Sequence, residues 1–163
     1  MHTVGKLRRF LSFVLAVGCT TALGSAVQTQ FNLAALAAMD VDIDWAVRWS
    51  STQHDLLYFS PIFAILVVPG FFFAFLLAGV LARLLSPLRG LIFALAGGSA
   101  LWVAFWVINT VLPMPTLIAA TRTSLGLYSM VLTGVVGGWV FARLTRTGRQ
   151  GWDPQGDIRM RFR

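Results

Sequence analysis

The chain contains no glutamate, one cysteine and few charges of any kind: 12% of its 163 residues are charged and 57% are hydrophobic. A water-soluble domain carries about 25% charged residues, so the deficit points to a bilayer as the solvent. The lone cysteine, Cys19, excludes an internal disulfide and a cysteine-rich metal site. It also excludes quinone-linked thiol oxidation, which needs a pair. The middles of the long apolar runs lack Asp, Glu, Lys and His. Proton-coupled carriers of this size rely on such a group at depth, so proton antiport is disfavoured.

What the sequence does have is four apolar runs, at about 7–27, 61–85, 90–112 and 125–144. Each reaches the roughly 20 residues that a helix needs to cross the hydrocarbon. Backbone N–H and C=O groups must be paired within lipid, which selects helices over open strands. The first run, with Lys6, Arg8 and Arg9 ahead of it and "GSAV" near its end, also has the outline of a signal peptide. A retained helix is the reading adopted. The expected fold is an all-α integral membrane protein, a four-transmembrane-helix bundle with a short helical extracytoplasmic cap at 29–60 between helices 1 and 2. The membrane domain would span 1–145, followed by a basic cytoplasmic tail at 146–163.

The 13 Lys and Arg outnumber the 6 Asp, for a net charge of +7. That excess could suggest nucleic acid, but its placement tells of topology. Lys6, Arg8 and Arg9 precede the first run, and Arg83 and Arg89 flank the turn between the second and third. Arg143, Arg146, Arg149, Arg159, Arg161 and Arg163 end or follow the fourth, and only Arg48 and Arg122 fall on the other side. The positive-inside rule then puts both termini in the cytoplasm and 29–60 outside. Abundant Ala, Leu, Val and Arg suggest a bacterial inner membrane.

The stretch "MDVDIDWAVRWSSTQHDLLYFSP", residues 39–61, holds four of the six carboxylates. Its D-x-D-x-D start resembles the beginning of a calcium loop. That loop needs Gly at its sixth position and Glu at its twelfth, and here stand Trp45 and Ser51. A single nearby histidine, His54, is too few for a transition-metal site. No metal and no cofactor are expected. Asp44 instead suits the N-cap of a helix from Trp45 to about Leu57, with Trp45, Trp49 and Tyr58 at headgroup level. Residues 31–39 make a second short helix, and Ser60-Pro61 restarts the chain into the membrane. Pro69-Gly70 should kink the second membrane helix.

Candidate polar residues of an outer site are Asp44, His54, Asp55, Asn109 and Arg122. Trp102, Trp106 and Asn109 form a stripe that could line a pocket. Gly134 and Gly138 in a G-x-x-x-G, with Gly137 beside them and Gly24 on the first helix, are candidate packing positions, because helices in lipid associate by close backbone approach. Whether these faces close one bundle or join two copies is open at this level. The pattern offers no nucleophile–base pair. The expected function is a non-catalytic accessory or scaffold subunit that binds a larger membrane-protein partner, or a second copy, through its helix faces and outer cap. Alternatives are a channel or carrier for a neutral or lipid-like solute, and a membrane enzyme with an outer-surface site. No nucleic-acid partner is expected.

The charge asymmetry sets a direct check. Reporter fusions after Arg149 should read as cytoplasmic, and fusions near Ser51 as external. A C-terminus found outside would break the four-span topology.

Overall fold

The computed structural model describes residues 2–111 and 118–146. Four α-helices run His2–Ala37 (α1), Trp45–Leu84 (α2), Arg89–Val111 (α3) and Ser124–Leu144 (α4). Single 3-10 turns, Ser86–Leu88 and Ala119–Arg122, precede α3 and α4. There is no strand among the described residues. All four helices are long and apolar enough to cross a membrane, and the chain is read as a multi-pass membrane protein. Residues 112–117 and the expected basic tail beyond Arg146 lie outside the described residues.

Each helix packs on two neighbours in the cyclic order α1, α2, α3, α4. Short connections make consecutive helices antiparallel. Pro87 sits in the first turn of its 3-10 segment, where its missing N–H costs nothing, and it stops α2 from continuing. Thr123 opens α4, its Oγ1 accepting the Gly126 N–H at 3.1 Å. Gln28 on α1 anchors the α3–α4 connection from the side: its buried Oε1 accepts the Ala120 N–H at 2.8 Å.

The core is aromatic on one wall and nearly bare on the other. Phe63, Phe71 and Phe75 of α2 are buried, and Phe63 stacks on Phe105 of α3 at 6.1 Å between centroids. Phe75 packs against Phe141 of α4 at 4.7 Å. Opposite these rings, α3 and α4 meet through glycine. A Cβ on Gly134 would stand 2.5 Å from the Gly97 carbonyl oxygen, and one on Gly138 would run into the Phe93 carbonyl. Gly137 faces the other way, where a Cβ would strike Thr20 Oγ1 of α1. Gly24 makes room for the Phe63 ring of α2. These contacts lie within one bundle.

α1 carries a buried polar stripe of Ser12, Thr20, Thr21, Ser25, Gln28 and Thr29. Thr20 Oγ1 donates to the Ala16 carbonyl at 2.9 Å and lies 3.4 Å from the Thr133 carbonyl of α4. Hydroxyls that bond back to their own helix satisfy themselves without a partner and still allow close approach.

The expected cap of two short helices is not found. Residues 31–37 are the end of α1, and Trp45 begins a helix that runs unbroken through Pro61 and Pro69 to Leu84. Ser60 does not restart the chain, and its Oγ donates to the Thr21 carbonyl of α1 at 3.4 Å. A proline costs about 3 kcal/mol in an isolated helix interior. Here α2 packs along α1 on both sides of Pro61, with Ser60 on the Thr21 carbonyl and the Phe63 ring against Gly24, and those tertiary contacts hold the helix through it. With 36 and 40 residues, α1 and α2 are about 54 and 60 Å long. α4, with 21 residues, reaches about 32 Å. The α1–α2 hairpin therefore projects well past the four-helix body.

The turn at its tip is set by Asp40, the one described non-glycine residue with positive φ, at 60°. Aspartate tolerates this left-handed conformation better than most side chains. Asp44 then caps α2, accepting the Val47 N–H at 2.8 Å.

The glycine face can be tested by adding one carbon. Gly138→Ala should lower stability in detergent by about 1–3 kcal/mol, because backbone must move to admit the methyl. Gly18→Ala, where a Cβ meets nothing within 4 Å, should be neutral or stabilising by up to about 1 kcal/mol. Equal melting temperatures for both variants would show that α4 does not touch α3 there.

Candidate functional site

Two concavities stand at opposite ends of the molecule. The first is an open polar trough of about 440 Å³ between the projecting parts of α1 and α2, lined by Thr29, Asn32, Ser50, Ser51, His54 and Asp55 among others. Leu33 and Leu36 complete its lining, and side-chain hydrogen bonds tie its two helices together. Thr29 Oγ1 lies 2.7 Å from Asp55 Oδ2 and 2.9 Å from the Ser25 carbonyl, and its single proton is drawn more strongly to the carboxylate. Gln30 Nε2 donates to Thr52 Oγ1 at 3.3 Å, and Arg48 Nη1 donates to Gln30 Oε1 at 3.2 Å.

The trough gathers two of the five candidate polar residues, His54 and Asp55. The His54 ring is exposed and packs on Tyr58 at 4.5 Å. Asp44 is taken up by its capping bond. Asn109 is half-buried on α3, and Arg122 is exposed at the end of its 3-10 turn. Neither lines either concavity. Trp102 and Trp106 are 43% and 65% exposed, and Trp102 packs on Tyr128 of α4 at 5.8 Å. Among the described residues, no three His, Cys, Asp or Glu side chains gather closely enough to hold a metal ion.

The amphipathicity of the α2 extension is inverted relative to a soluble helix. Arg48, Thr52 and Asp55 turn inward toward α1, while Trp45, Trp49 and Leu57 turn outward. Trp45 is 80% exposed and Trp49 62%. Helical spacing alone gives the two faces but not which one meets α1.

The second concavity is a cleft of about 770 Å³ at the other end. Its rim carries Arg8, Arg9, Arg83 and Arg89, and its floor includes Phe13, Phe75, Phe93 and Phe141. Sequence reasoning missed it. The arginines come from three helices and read singly as topology signals, so only the folded ring of helices brings them together.

No protein-family model, curated sequence or solved structure matches this chain.

The trough residues admit a test that separates a structural bond from a metal site. Thr29→Val leaves the Asp55 carboxylate facing a methyl group. It should weaken hydrogen-exchange protection of residues 45–60 by about 1 kcal/mol. Asp55→Asn should cost less, because its amide oxygen still accepts. Adding a chelator should change nothing; protection that falls with chelator would point to a bound cation instead.

Proposed function

We propose that this is a non-catalytic accessory or scaffold subunit of a bacterial inner membrane. In this reading both termini are cytoplasmic, and the α1–α2 hairpin projects outside to bind a membrane-protein partner. The observation that carries the proposal is the outward Trp45–Trp49 face, with Trp45 80% exposed.

Bilayer thickness makes that exposure informative. The 21 residues of α4 nearly match the hydrocarbon, at about 32 Å against about 30 Å. The Gln28–Ala120 bond sets α1 at residue 28 level with the entry to α4, and Thr29–Asp55 carries that level across to α2. Tyr58 then falls at the headgroups. Trp45, thirteen residues earlier, stands about 20 Å further out, and the average tilt of about 20° hardly shortens this. That distance is too great for an interfacial anchor, which was the expectation from composition. Exposed tryptophans in water, on a helix whose polar face is turned inward, suit a protein–protein contact, where Trp is a frequent anchor.

The geometry lends less to the alternatives. A channel lined by Trp102, Trp106 and Asn109 would need both rings to face an enclosed passage, whereas they are 43% and 65% exposed on the side of α3. An outer-surface enzyme built on His54, Asp55 and Arg122 would need Arg122 in the trough, whose lining does not include it.

Purification from native membranes in mild detergent, followed by mass spectrometry, tests the proposal. A stoichiometric membrane protein should copurify. Trp45→Ala with Trp49→Ala should reduce its recovery at least about tenfold, as expected when two aromatic anchors are truncated, with the melting temperature of the bundle unchanged. A self-associated protein whose assembly depends on the same tryptophans would identify the partner as a second copy. Recovery of no protein partner, or recovery indifferent to both tryptophans, would overturn it.

A further inference from the structure

The cleft at the arginine end combines two chemistries that rarely meet by accident. Its floor is a cluster of phenylalanines in mutual contact: Phe13 meets Phe75 edge-on at 6.2 Å, and Phe93 lies 5.1 Å from Phe141. Its rim is four guanidinium groups. The described carboxylates, Asp40, Asp42, Asp44 and Asp55, lie in or beside the turn at the far tip of the hairpin or on the projecting part of α2, so none neutralises this rim. Like charges gathered without a counter-charge are unfavourable unless an anion joins them.

The hydrogen-bond inventory points the same way. Arg8 is held in place by the Leu144 carbonyl at 3.0 Å and the Arg146 carbonyl at 2.6 Å. Arg89 lies over the Phe93 ring at 4.9 Å, and its Nη2 donates to Thr145 Oγ1 at 2.6 Å. Its Nε is buried and has no acceptor. A guanidinium fixed at one nitrogen and unfilled at another keeps donors for a bidentate contact with an oxyanion such as phosphate. The walls are apolar, and Phe10, Phe72, Leu76 and Val80 remain exposed on the sides of α1 and α2. The cavity volume falls in the range that encloses a small amphiphile.

We infer that this cleft binds one anionic membrane phospholipid. The phosphate is held among Arg9, Arg83 and Arg89, and an acyl chain lies on the Phe13–Phe75 floor. A free phosphate would use the arginines and leave the apolar floor uncovered. The chain's own carboxylates beyond the described residues, Asp153 and Asp157, stand among a larger number of arginines, so that segment is itself basic and a poor counter-ion.

The test uses the full-length protein in detergent, with native mass spectrometry. Phosphatidylglycerol should be retained at one per chain, with at least about tenfold preference over phosphatidylcholine. Arg9→Gln with Arg83→Gln should reduce retention about tenfold or more. Gly79→Leu offers a second variant that leaves every arginine intact. A Cβ at Gly79 meets nothing within 4 Å, so the leucine occupies the cleft, and retention should fall while folding is kept. Arg143 lies outside the cleft lining, stacked on Trp139 at 4.6 Å, and Arg143→Gln should retain the lipid. Equal loss with Arg143→Gln would reduce the effect to diffuse surface charge and overturn the site. Inorganic phosphate that displaces the lipid while Gly79→Leu has no effect would assign the arginines to a soluble anion. Retention that appears only after removal of residues 147–163 would assign the cleft to the tail.

Discussion

The bundle depends on backbone-to-backbone contact at the glycines of α3 and α4. Within lipid, burying a leucine against another helix gains little, because acyl chains are equally apolar. What remains is dispersion, which falls away steeply with distance. Gly97, Gly134 and Gly138 let α3 and α4 approach until carbonyl oxygens occupy the space of a Cβ. Gly137 extends the same solution to α1, where the self-satisfied Thr20 hydroxyl fills the gap. Once α4 is drawn in on both sides, the volume left on the α2 wall is large, and it is filled by phenylalanine. Small residues on two helices and large ones on a third are one packing solution.

That solution also decides the ends. Drawing the helices together at the arginine end brings Arg8 onto the α4 terminus and Arg89 onto Thr145. The end carbonyls of α4 have no partners within their own helix, and Arg8 supplies one for Leu144. Cations at a helix C-terminus also oppose its negative dipole end. At the far end, α1 and α2 leave α3 and α4 behind, and the contact between them changes from glycine and phenylalanine to side-chain hydrogen bonds. Those bonds are individually weak, about 0.5–1.5 kcal/mol each.

The physical basis of this division explains what the sequence could and could not tell. The four spans are legible because lipid imposes a length and a composition that no soluble element of this chain meets. The Asp44 cap is legible because capping is local, read from a side chain and an N–H three residues on. The continuity of α1 and α2 beyond the four-helix body is not, because the local signs at Ser60-Pro61 favour a new start. They are overruled by tertiary contacts with α1, where Ser60 meets the Thr21 carbonyl and the Phe63 ring lies against Gly24. The buried stripe on α1 is not legible in its role, since a Ser or Thr hydroxyl bonds back to its own helix, as Thr20 does, or across to a neighbour, as Thr29 does to Asp55. The trough joins His54 and Asp55 and leaves Asn109 and Arg122 elsewhere. A polar residue carries no label for the partner that it will face.

Why the hairpin stays helical outside the body follows from cooperativity. An isolated helix of about 16 residues, like the part of α2 from Trp45 to Ser60, is marginal in water, because its first turn is costly to form. Here the turn is not formed anew. The helix enters from a packed segment in which the backbone is already set, and each added residue needs only to propagate. Bonds as modest as Thr29–Asp55 and Gln30–Thr52 then suffice to keep the two rods in register, and Asp40 in its left-handed conformation closes them. The tryptophans are thereby held on a structure continuous with the bundle, so a protein bound at Trp45 and Trp49 would be set at a fixed height and azimuth relative to the membrane helices. A flexible loop carrying the same two side chains could not do this.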